Sequence, residues 1–312
     1  MKSLSGSAMI TLKEALSDAQ RRRIAIGHFN VSDLVGLKAV TGAAQVLNVP
    51  VLVGTSEGER NFLGVHEIVA LVTSLRQQHE HPIFLNADHT HSLERVVEAA
   101  QAGYDMIAFD ASSVALEKNI GLTKQAVEAA KSINPRIIVE GELGFIGSGS
   151  EIHESVPESS RLLTTTDDAQ CFVEATKIDV LAPAVGNMHG LLKSMVTGEV
   201  RKRLAIDRIR EIATVTALPL TLHGGSGTDD GDFQRAISAG VAIVHISTEL
   251  RLAWRRGLEA ALAENSDEVV PYKIYGKSLL AMAAVADERL RLFNAGLPAL
   301  GAAPVSRTVT GS

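Results

Sequence analysis

The stretch PIFLNADHTHSLERVVEAAQAGYDMIAFDAS (residues 82–112) decides the fold, because it joins two short apolar runs through one amphipathic segment. Ser92 is a residue type that caps helix N-termini, and Gly103 is one that ends helices. Between them, one face at helical spacing carries Leu93, Val96, Val97 and Ala100. The stretch therefore predicts two parallel strands connected by a helix.

The same unit repeats along the chain, with apolar runs rich in Val and Ile alternating with amphipathic segments. Few of these runs alternate apolar with polar residues, which is typical of parallel strands buried on both faces. Eight is the number of strands that closes a parallel barrel. We therefore predict an α/β fold, a single (β/α)8 TIM barrel, with an open sheet as the alternative. The eight runs cover residues 23–31, 50–56, 82–88, 106–112, 136–144, 179–186, 218–225 and 242–248.

One domain is predicted for residues 1–312, with a core from about 12 to 294 and two extra C-terminal helices between about 249 and 293. The ends, 1–8 and 295–312, are expected to be flexible. The connection at 145–165 is long, polar and rich in Gly and Ser, which predicts a lid or a binding loop.

Composition excludes several classes of function. A formal net charge of -6 gives no basic surface for nucleic acid or an anionic membrane. No apolar run approaches the roughly 20 residues that a membrane span needs. The single cysteine, Cys171, cannot form an internal disulfide, which fits a reducing compartment. We expect a cytoplasmic protein that binds neither nucleic acid nor membranes.

Polar residues follow the apolar runs where parallel strands of a barrel would converge. Three of them, His89, His189 and His223, would form a three-nitrogen site with an open position, as catalytic zinc requires. A lone histidine is more often a hydrogen-bonded core or surface residue, but three at strand ends that converge on one pocket favour a metal. Zn²⁺ is the predicted ion, although other divalent ions suit the same ligands. Asp88, Glu142 and His245 lie at strand ends on the same face of the predicted barrel.

Two glycine-rich stretches resemble phosphate-binding loops. HGGSGTDD (223–230) is predicted to place Gly224, Gly225 and Ser226 at the start of a helix, whose free N–H groups attract anions. GNMHGLLKS (186–194) adds Gly190 and the cation Lys193. His79 and His81 precede the third strand, so we expect them in a surface loop at the opposite end of the barrel.

In their order and spacing, seven motifs between about residues 12 and 294 resemble the class II (metal-dependent) ketose-bisphosphate aldolases, which include the fructose- and tagatose-bisphosphate enzymes. The resemblance implies a (β/α)8 barrel, usually a homodimer or homotetramer. It also implies reversible cleavage of a ketose bisphosphate, such as fructose 1,6-bisphosphate, to dihydroxyacetone phosphate and glyceraldehyde 3-phosphate. The motifs are FNVSD, NADHTHS, FDAS, VEGELG, GNMHG, LHGGSG and ISTEL.

The resemblance also implies roles for individual residues. Zinc would be held by His89, His189 and His223, with Glu142 as an alternative ligand. Asp88 would exchange a proton with the C4 hydroxyl or the aldehyde oxygen, and Glu151 is the candidate for the loop glutamate that handles the C3 proton. A monovalent cation (Na⁺ or K⁺) and the substrate phosphate would lie near Gly190, Lys193, Gly224, Ser226, Ser247 and Thr248, and the rest of the substrate near Asn30 and Ser56.

The chain departs from the family at two positions. His245 stands where an asparagine usually contacts the substrate, and this change either alters which sugar is accepted or is a tolerated substitution. His91 stands where the family often has a small residue, and it is predicted to open the third helix.

Four alternatives to a fructose-bisphosphate enzyme remain at this stage. An aldolase of this kind could act on another ketose phosphate. A Schiff-base aldolase would need a buried strand-end lysine, and the sequence offers none that we recognise. A metal-dependent barrel hydrolase is suggested by the pair His89 and His91. A non-catalytic sugar-phosphate-binding barrel would keep the fold alone.

Overall fold

The computed structural model describes residues 9–147, 149, 151–154 and 162–294. The predicted flexible ends at 1–8 and 295–312 lie outside these residues, as does part of the 145–165 connection. The eight barrel strands are β1 (Ile26–Asn30), β2 (Val51–Thr55), β3 (Ile83–Thr90), β4 (Met106–Phe109), β5 (Ile138–Leu143), β7 (Val180–Pro183), β9 (Leu220–Leu222) and β10 (Val241–Ile246).

These strands close into one barrel in the order β1-β10-β9-β7-β5-β4-β3-β2, and every neighbouring pair is parallel. The prediction of a (β/α)8 TIM barrel is confirmed, and each strand lies largely within its predicted apolar run. Outside the barrel, two short strands, β6 (Ile152–His153) and β8 (Leu191–Leu192), pair with each other.

The described residues form twelve helices. The last two, α11 (Thr248–Glu264) and α12 (Pro271–Phe293), follow the final barrel strand, which confirms the two C-terminal helices that the sequence predicts. None of these helices has both the length and the apolarity needed to cross a lipid bilayer. The helices are α1 (Leu12–Arg22), α2 (Leu34–Leu47), α3 (Glu57–Leu63), α4 (Val65–His79), α5 (Leu93–Ala102), α6 (Leu116–Ile133), α7 (Thr166–Thr176), α8 (Lys193–Val196), α9 (Ile206–Thr216), α10 (Asp230–Ala239), α11 (Thr248–Glu264) and α12 (Pro271–Phe293).

Helix α5 begins and ends where the sequence predicts. The Ser92 hydroxyl accepts a hydrogen bond from the Arg95 N–H at 3.3 Å, and Gly103 ends the helix with φ 101°. The buried face is centred on Val96, Ala99 and Ala100. Leu93 was predicted to share that face, but it stands on its flank and is 36% exposed.

Helix α1 covers the amino end of the barrel. Its Leu12 and Leu16 belong to a buried cluster with strand residues such as Phe84 and Ile138. His81 lies at this end, as predicted, but the expectation of a surface position is wrong. His81 is only 6% exposed. Its ring packs against the chain just before β2, where Nε2 lies 2.9 Å from the Val49 carbonyl oxygen.

Candidate active site

A bulge near the end of β3 brings two neighbouring side chains to one cavity. The register with β4 shifts between Ala87 and Thr90, and His89 has a left-handed φ of 45°. Successive residues of a regular strand point to opposite faces, so this irregularity is what lets Asp88 and His89 both line the cavity. A non-glycine residue in this conformation stores strain of the kind found at functional sites.

The buried guanidinium of Arg60 holds the bulge in place. Its Nη1 donates to the carbonyl oxygens of Thr55 and Asp88 at 2.6 and 3.2 Å. Its Nη2 donates to the Thr90 hydroxyl at 3.1 Å. Arg60 is only 1% exposed, so these bonds form away from competing water.

Three histidine rings meet at the carboxyl end of the barrel. The centroid of the His89 ring lies 4.7 Å from that of His189 and 4.9 Å from that of His223. The centroids of His189 and His223 are 5.9 Å apart. With Glu142, each ring offers one ligand atom, and these four atoms all lie within 4.8 Å of one another. The chain thus brings together the four residues predicted as metal ligands.

The buried atoms of this cluster fit a cation. His223 Nε2 lies 2.6 Å from Glu140 Oε1, so in the neutral ring the hydrogen belongs on Nε2 and the lone pair on Nδ1. Nδ1 is buried and has no hydrogen-bond partner among the described residues. A carboxylate that orients a histidine in this way is the usual support behind a metal-binding imidazole.

The charges around the rings also favour a cation. Burial by itself lowers the pKa of His223, but the carboxylates of Glu142 and Glu140 outweigh it and raise that pKa to about 9. Burial lowers the pKa of His189 well below its usual value, and the neighbouring His89 and His223 act in the same direction. The site therefore combines the neutral imidazole of His189 with the carboxylates around His223, and a divalent ion would balance the negative charge of those carboxylates.

Asp88 is held as a carboxylate with one oxygen free. Burial alone would raise its pKa, but His89, His245 and His28 hold the pKa of Asp88 well below its usual range. Asn30 Nδ2 donates to Oδ2 at 2.9 Å. Oδ1 is buried without a hydrogen-bond partner among the described residues, and it lies 3.5 Å from His245 Nδ1. A group in this state can accept a proton from a bound hydroxyl.

The cavity above the histidines has a volume of about 540 Å³. Glu142 and His223 are almost fully buried at its base, and Gly225 packs against the His245 carbonyl oxygen, which a Cβ at Gly225 would approach to 2.7 Å. The predicted site residues that line the cavity are Asn30, Ser56, Asp88, His89, His189, Gly190, Gly224, Ser226, His245, Ser247 and Thr248.

Five predicted residues do not line this cavity: Glu142, His223 and Gly225 are buried, whereas Lys193 and Glu151 are exposed. Lys193 is exposed and forms an ion pair with Glu154. The Glu151 side chain is exposed, and its backbone carbonyl accepts a hydrogen bond from the Leu191 N–H at 2.9 Å. Their roles in phosphate binding and in proton transfer stay predictions.

The GGSG loop, which was predicted to bind phosphate at the start of a helix, is arranged differently from that prediction. The helix after the GGSG stretch starts only at Asp230, beyond the cavity lining, whereas α11 starts at Thr248 on the cavity wall. The GGSG loop is joined to the first turn of α11, because the Glu249 N–H donates to the Ser226 hydroxyl at 3.2 Å. The Ser247 hydroxyl is buried and has no partner among the described residues. The helix N-terminus available to an anion is therefore that of α11.

Sequence reasoning missed several residues around the site. Asp110 Oδ2 lies 3.4 Å from His89 Nδ1, and Arg251 lines the cavity while pairing with Glu59 at 2.8 Å. His28 stacks on His245 with ring centroids 3.5 Å apart. The Asp110 signal was present in the FDAS motif, whereas His28 lies in the middle of an apolar strand and gave none.

His91 lies both next to the start of α5 and at the wall of the cavity. It directly precedes Ser92, the N-cap of α5, so it lies just outside the helix that it was predicted to open. It also lines the cavity, with Nδ1 3.1 Å from the Asp110 carbonyl oxygen. The ring centroid of His91 lies 6.5 Å from that of His89. Among the described residues it is not one of those grouped around a possible ion.

A closed parallel barrel with three histidines and carboxylates grouped at its carboxyl end defines a barrel with a site that could hold a metal ion. The family described as "Fructose-bisphosphate aldolase class-II" matches residues 10–296 of the chain. The chain belongs to this family, and it is an aldolase, a carbon–carbon lyase.

Individual relatives agree with this assignment. A fructose-bisphosphate aldolase of Staphylococcus epidermidis is 33% identical over 91% of this chain and 97% of its own length. One from Geobacillus stearothermophilus is 32% identical over 92% and 97%. Among solved structures, the YdjI aldolase of Escherichia coli K12 superposes with a TM-score of 0.76 at 30% identity, covering 90% of this chain and 96% of that one.

Proposed function

We propose that this protein is a zinc-dependent aldolase that reversibly cleaves fructose 1,6-bisphosphate to dihydroxyacetone phosphate and glyceraldehyde 3-phosphate. The observation that carries the proposal is that His89, His189 and His223 offer ligand atoms within 4.8 Å of one another, beside the ionised Asp88. Among the described residues, His223 Nδ1 has no hydrogen-bond partner and so remains available to an ion. Family membership and the names of the relatives support the choice of sugar.

His89, His189 and His223 would hold the ion, with Glu142 as a further ligand, and three imidazoles fit zinc as well as other divalent ions. When bound, the ion supplies Lewis-acid polarisation of the substrate ketone and stabilises the negative charge that develops as the carbon–carbon bond breaks. Glu140 fixes the His223 ring through the contact at 2.6 Å. That contact keeps the ring in the tautomer that a ligand requires.

Asp88 is proposed to act on the C4 side of the scissile bond, whereas the ion would act on the ketone side. In the cleavage direction its free Oδ1 removes the C4 hydroxyl proton, and the hydroxyl becomes the aldehyde as the C3–C4 bond breaks. The electron pair of that bond remains with the dihydroxyacetone phosphate half, where C3 must then gain a proton. Asn30 keeps Asp88 oriented through the 2.9 Å bond to Oδ2. Because the carboxylate is already ionised, it needs no activation at neutral pH.

Glu151 is the proposed donor of the C3 proton, on the basis of the resemblance and its place in the loop directly before β6. The loop is tied to the metal-binding segment by the pairing of Ile152 with Leu191. The phosphate of dihydroxyacetone phosphate is proposed to lie among Gly190, Gly224, Ser226 and Ser247, with Lys193 closing over it.

The test is a coupled assay of zinc-loaded protein against a panel of ketose phosphates, with a chelated control. Asp88→Ala should abolish turnover while metal content measured by mass spectrometry stays at the wild-type level. Asp88→Asn is the matched variant, since it keeps the size but not the basicity. Retained turnover in either variant would remove Asp88 from this role. Absence of activity toward every ketose phosphate would favour a non-catalytic barrel that only binds sugar phosphates.

A second candidate is an aldolase for a different ketose phosphate, and His245 favours it. This ring takes the place of the family asparagine, is 4% exposed, and is fixed by stacking on His28. It lies beside the oxygen of Asp88 that would receive the C4 proton. If His245 sets the specificity, His245→Asn should move the preference within the panel toward fructose 1,6-bisphosphate. An unchanged ranking would make it a tolerated substitution.

The proposal also places the protein in the cytoplasm as a homodimer or homotetramer without a nucleic-acid or membrane partner. Sedimentation analysis of the purified protein would measure the oligomeric state.

A further inference from the structure

One buried lysine lies outside the residues assigned to the reaction. Lys202 is 4% exposed and stands in the connection between α8 and α9. Its N–H donates to the Gly227 carbonyl at 2.8 Å, and its own carbonyl accepts from the Asp229 N–H at 3.2 Å. The backbone of Lys202 is therefore fixed on both sides to the loop that follows the GGSG stretch.

The Lys202 ammonium lies at the centre of three backbone carbonyl groups. Nζ donates to the oxygens of Met188 at 2.8 Å, Gly190 at 2.7 Å and Gly224 at 2.9 Å. An ammonium has three hydrogens, so the three acceptors use all of them. Two of these carbonyls flank His189 and the third follows His223, which places the Lys202 amino group beside both segments predicted to bind the metal.

The position of these carbonyls depends on glycines. Gly224 has φ 59°, and a Cβ there would lie 2.2 Å from the Met188 carbonyl oxygen. Gly190 has φ 73°, and a Cβ there would lie 2.2 Å from the Glu151 carbonyl oxygen. L side chains rarely adopt such backbone conformations. The group of three carbonyls is thus a built feature of the two loops, and converging carbonyls of this kind are how proteins bind Na⁺ and K⁺.

We propose that the Lys202 ammonium takes the place of the monovalent cation that the family resemblance implies, so that this chain needs neither Na⁺ nor K⁺ at its phosphate site. The three carbonyl oxygens do not fit an added ion, because the ammonium already occupies them. The inference rests on the proposed function in one respect, the binding of the substrate phosphate among Gly190, Gly224 and Ser226.

The same geometry separates this role from that of a Schiff-base lysine. The sequence gave no reason to expect a buried lysine at a strand end, and Lys202 lies in a connection instead. Burial lowers its pKa to about 7, opposed by the Glu249 carboxylate. Nucleophilic attack would require the amine to reach the substrate, but Nζ is held among three backbone carbonyls and Lys202 does not line the cavity.

The first experiment uses the wild-type protein and no substrate. Crystals soaked in thallium or rubidium salts should show no anomalous peak among the carbonyls of Met188, Gly190 and Gly224. The melting temperature should be the same in KCl as in choline chloride at equal ionic strength. A thallium peak at these carbonyls, with Lys202 displaced, would overturn the proposal whether or not the protein cleaves a ketose phosphate.

The second experiment opens the site. Lys202→Ala should raise KM for the phosphorylated substrate roughly tenfold, because a charge-assisted contribution is lost, with a smaller change in kcat. K⁺ or methylammonium, but not choline, should restore KM and raise the melting temperature of this variant alone. Lys124→Ala, at an exposed position of α6, is the matched control and should not respond to the cation.

Three outcomes would contradict the replacement. These are activation of the wild type several-fold by K⁺, a Lys202→Ala variant that folds but gains no response to any cation, and labelling of Lys202 by borohydride in the presence of substrate. If Lys202→Ala does not fold, Lys202→Met keeps the side-chain volume, and the thallium and melting measurements on the wild type still decide.

Discussion

The two ends of the barrel are built from the same strands but have opposite chemistry. Inward-facing residues recur at every second position along a strand. From the amino to the carboxyl end they change from apolar to polar, as in Phe84, Asn86 and Asp88 of β3 and Ile138, Glu140 and Glu142 of β5. A difference of two residues along one strand therefore separates a position that stabilises the fold from one that carries the reaction.

The amino end has apolar side chains sealed by α1, and burial there stabilises the fold. The carboxyl end has buried atoms that find no hydrogen-bond partner in the described part of the chain, such as Asp88 Oδ1 and His223 Nδ1, and a strained residue, His89. Buried polar groups in this state cost stability unless a ligand binds them. Substitutions at the two ends should therefore separate activity from stability.

The largest effect is expected from His189→Ala at the carboxyl end. Loss of one of three nitrogen ligands should abolish stable metal binding and lower kcat/KM on the order of 10³-fold or more, since the ion contributes several kcal/mol. Metal content and turnover are the measurements, and His66→Ala, at an exposed position, is the control. Full metal content in the variant would show that His189 is not a ligand.

Phe84→Ala tests the amino end. The ring is 4% exposed in the cluster under α1, so its removal should lower the free energy of unfolding by about 3–5 kcal/mol. Turnover per folded molecule should remain near the wild-type value. Denaturant unfolding measures the loss, and the exposed Phe62, 79% accessible, gives the control Phe62→Ala. A large fall in kcat of folded protein would break the division between the two ends.

Glu140→Gln lies between the two ends and should have an intermediate effect. The carboxylate orients the His223 ring at 2.6 Å, so metal affinity should fall about 10–100-fold without loss of the ligand itself. Competition with a chelator measures the affinity, with Glu128→Gln on the exposed side of α6 as the control. Unchanged affinity would mean that the contact with His223 does not support metal binding.

The smallest effect is expected from Lys193→Ala at the rim. If the side chain leaves Glu154 to contact the substrate phosphate, its loss should raise KM about tenfold and leave kcat nearly unchanged. Glu154→Ala frees the lysine and should not raise KM. A KM equal to that of the wild type in Lys193→Ala would assign Lys193 to the exposed ion pair alone.

The sequence predicted the eight strands, the helix cap at Ser92 and the histidines at three strand ends, because periodicity and capping are local properties of the chain. It placed Leu93 and His81 wrongly, since the centre of a buried face and the burial of a loop ring depend on packing neighbours. Glu140 was visible two residues before Glu142 on the same strand face, but only the contact with His223 reveals its use.

The order of residues by itself determined a parallel barrel, the family and the residues able to bind a metal, because each was read from short local motifs and from the order in which they follow one another along the chain. Only the tertiary structure decided that the bulge at His89 turns two neighbouring side chains to one cavity. Only the tertiary structure, likewise, decided that the Lys202 ammonium donates to three carbonyls from two other loops. These features depend on distances between segments that are far apart in the chain, and no local pattern encodes such distances.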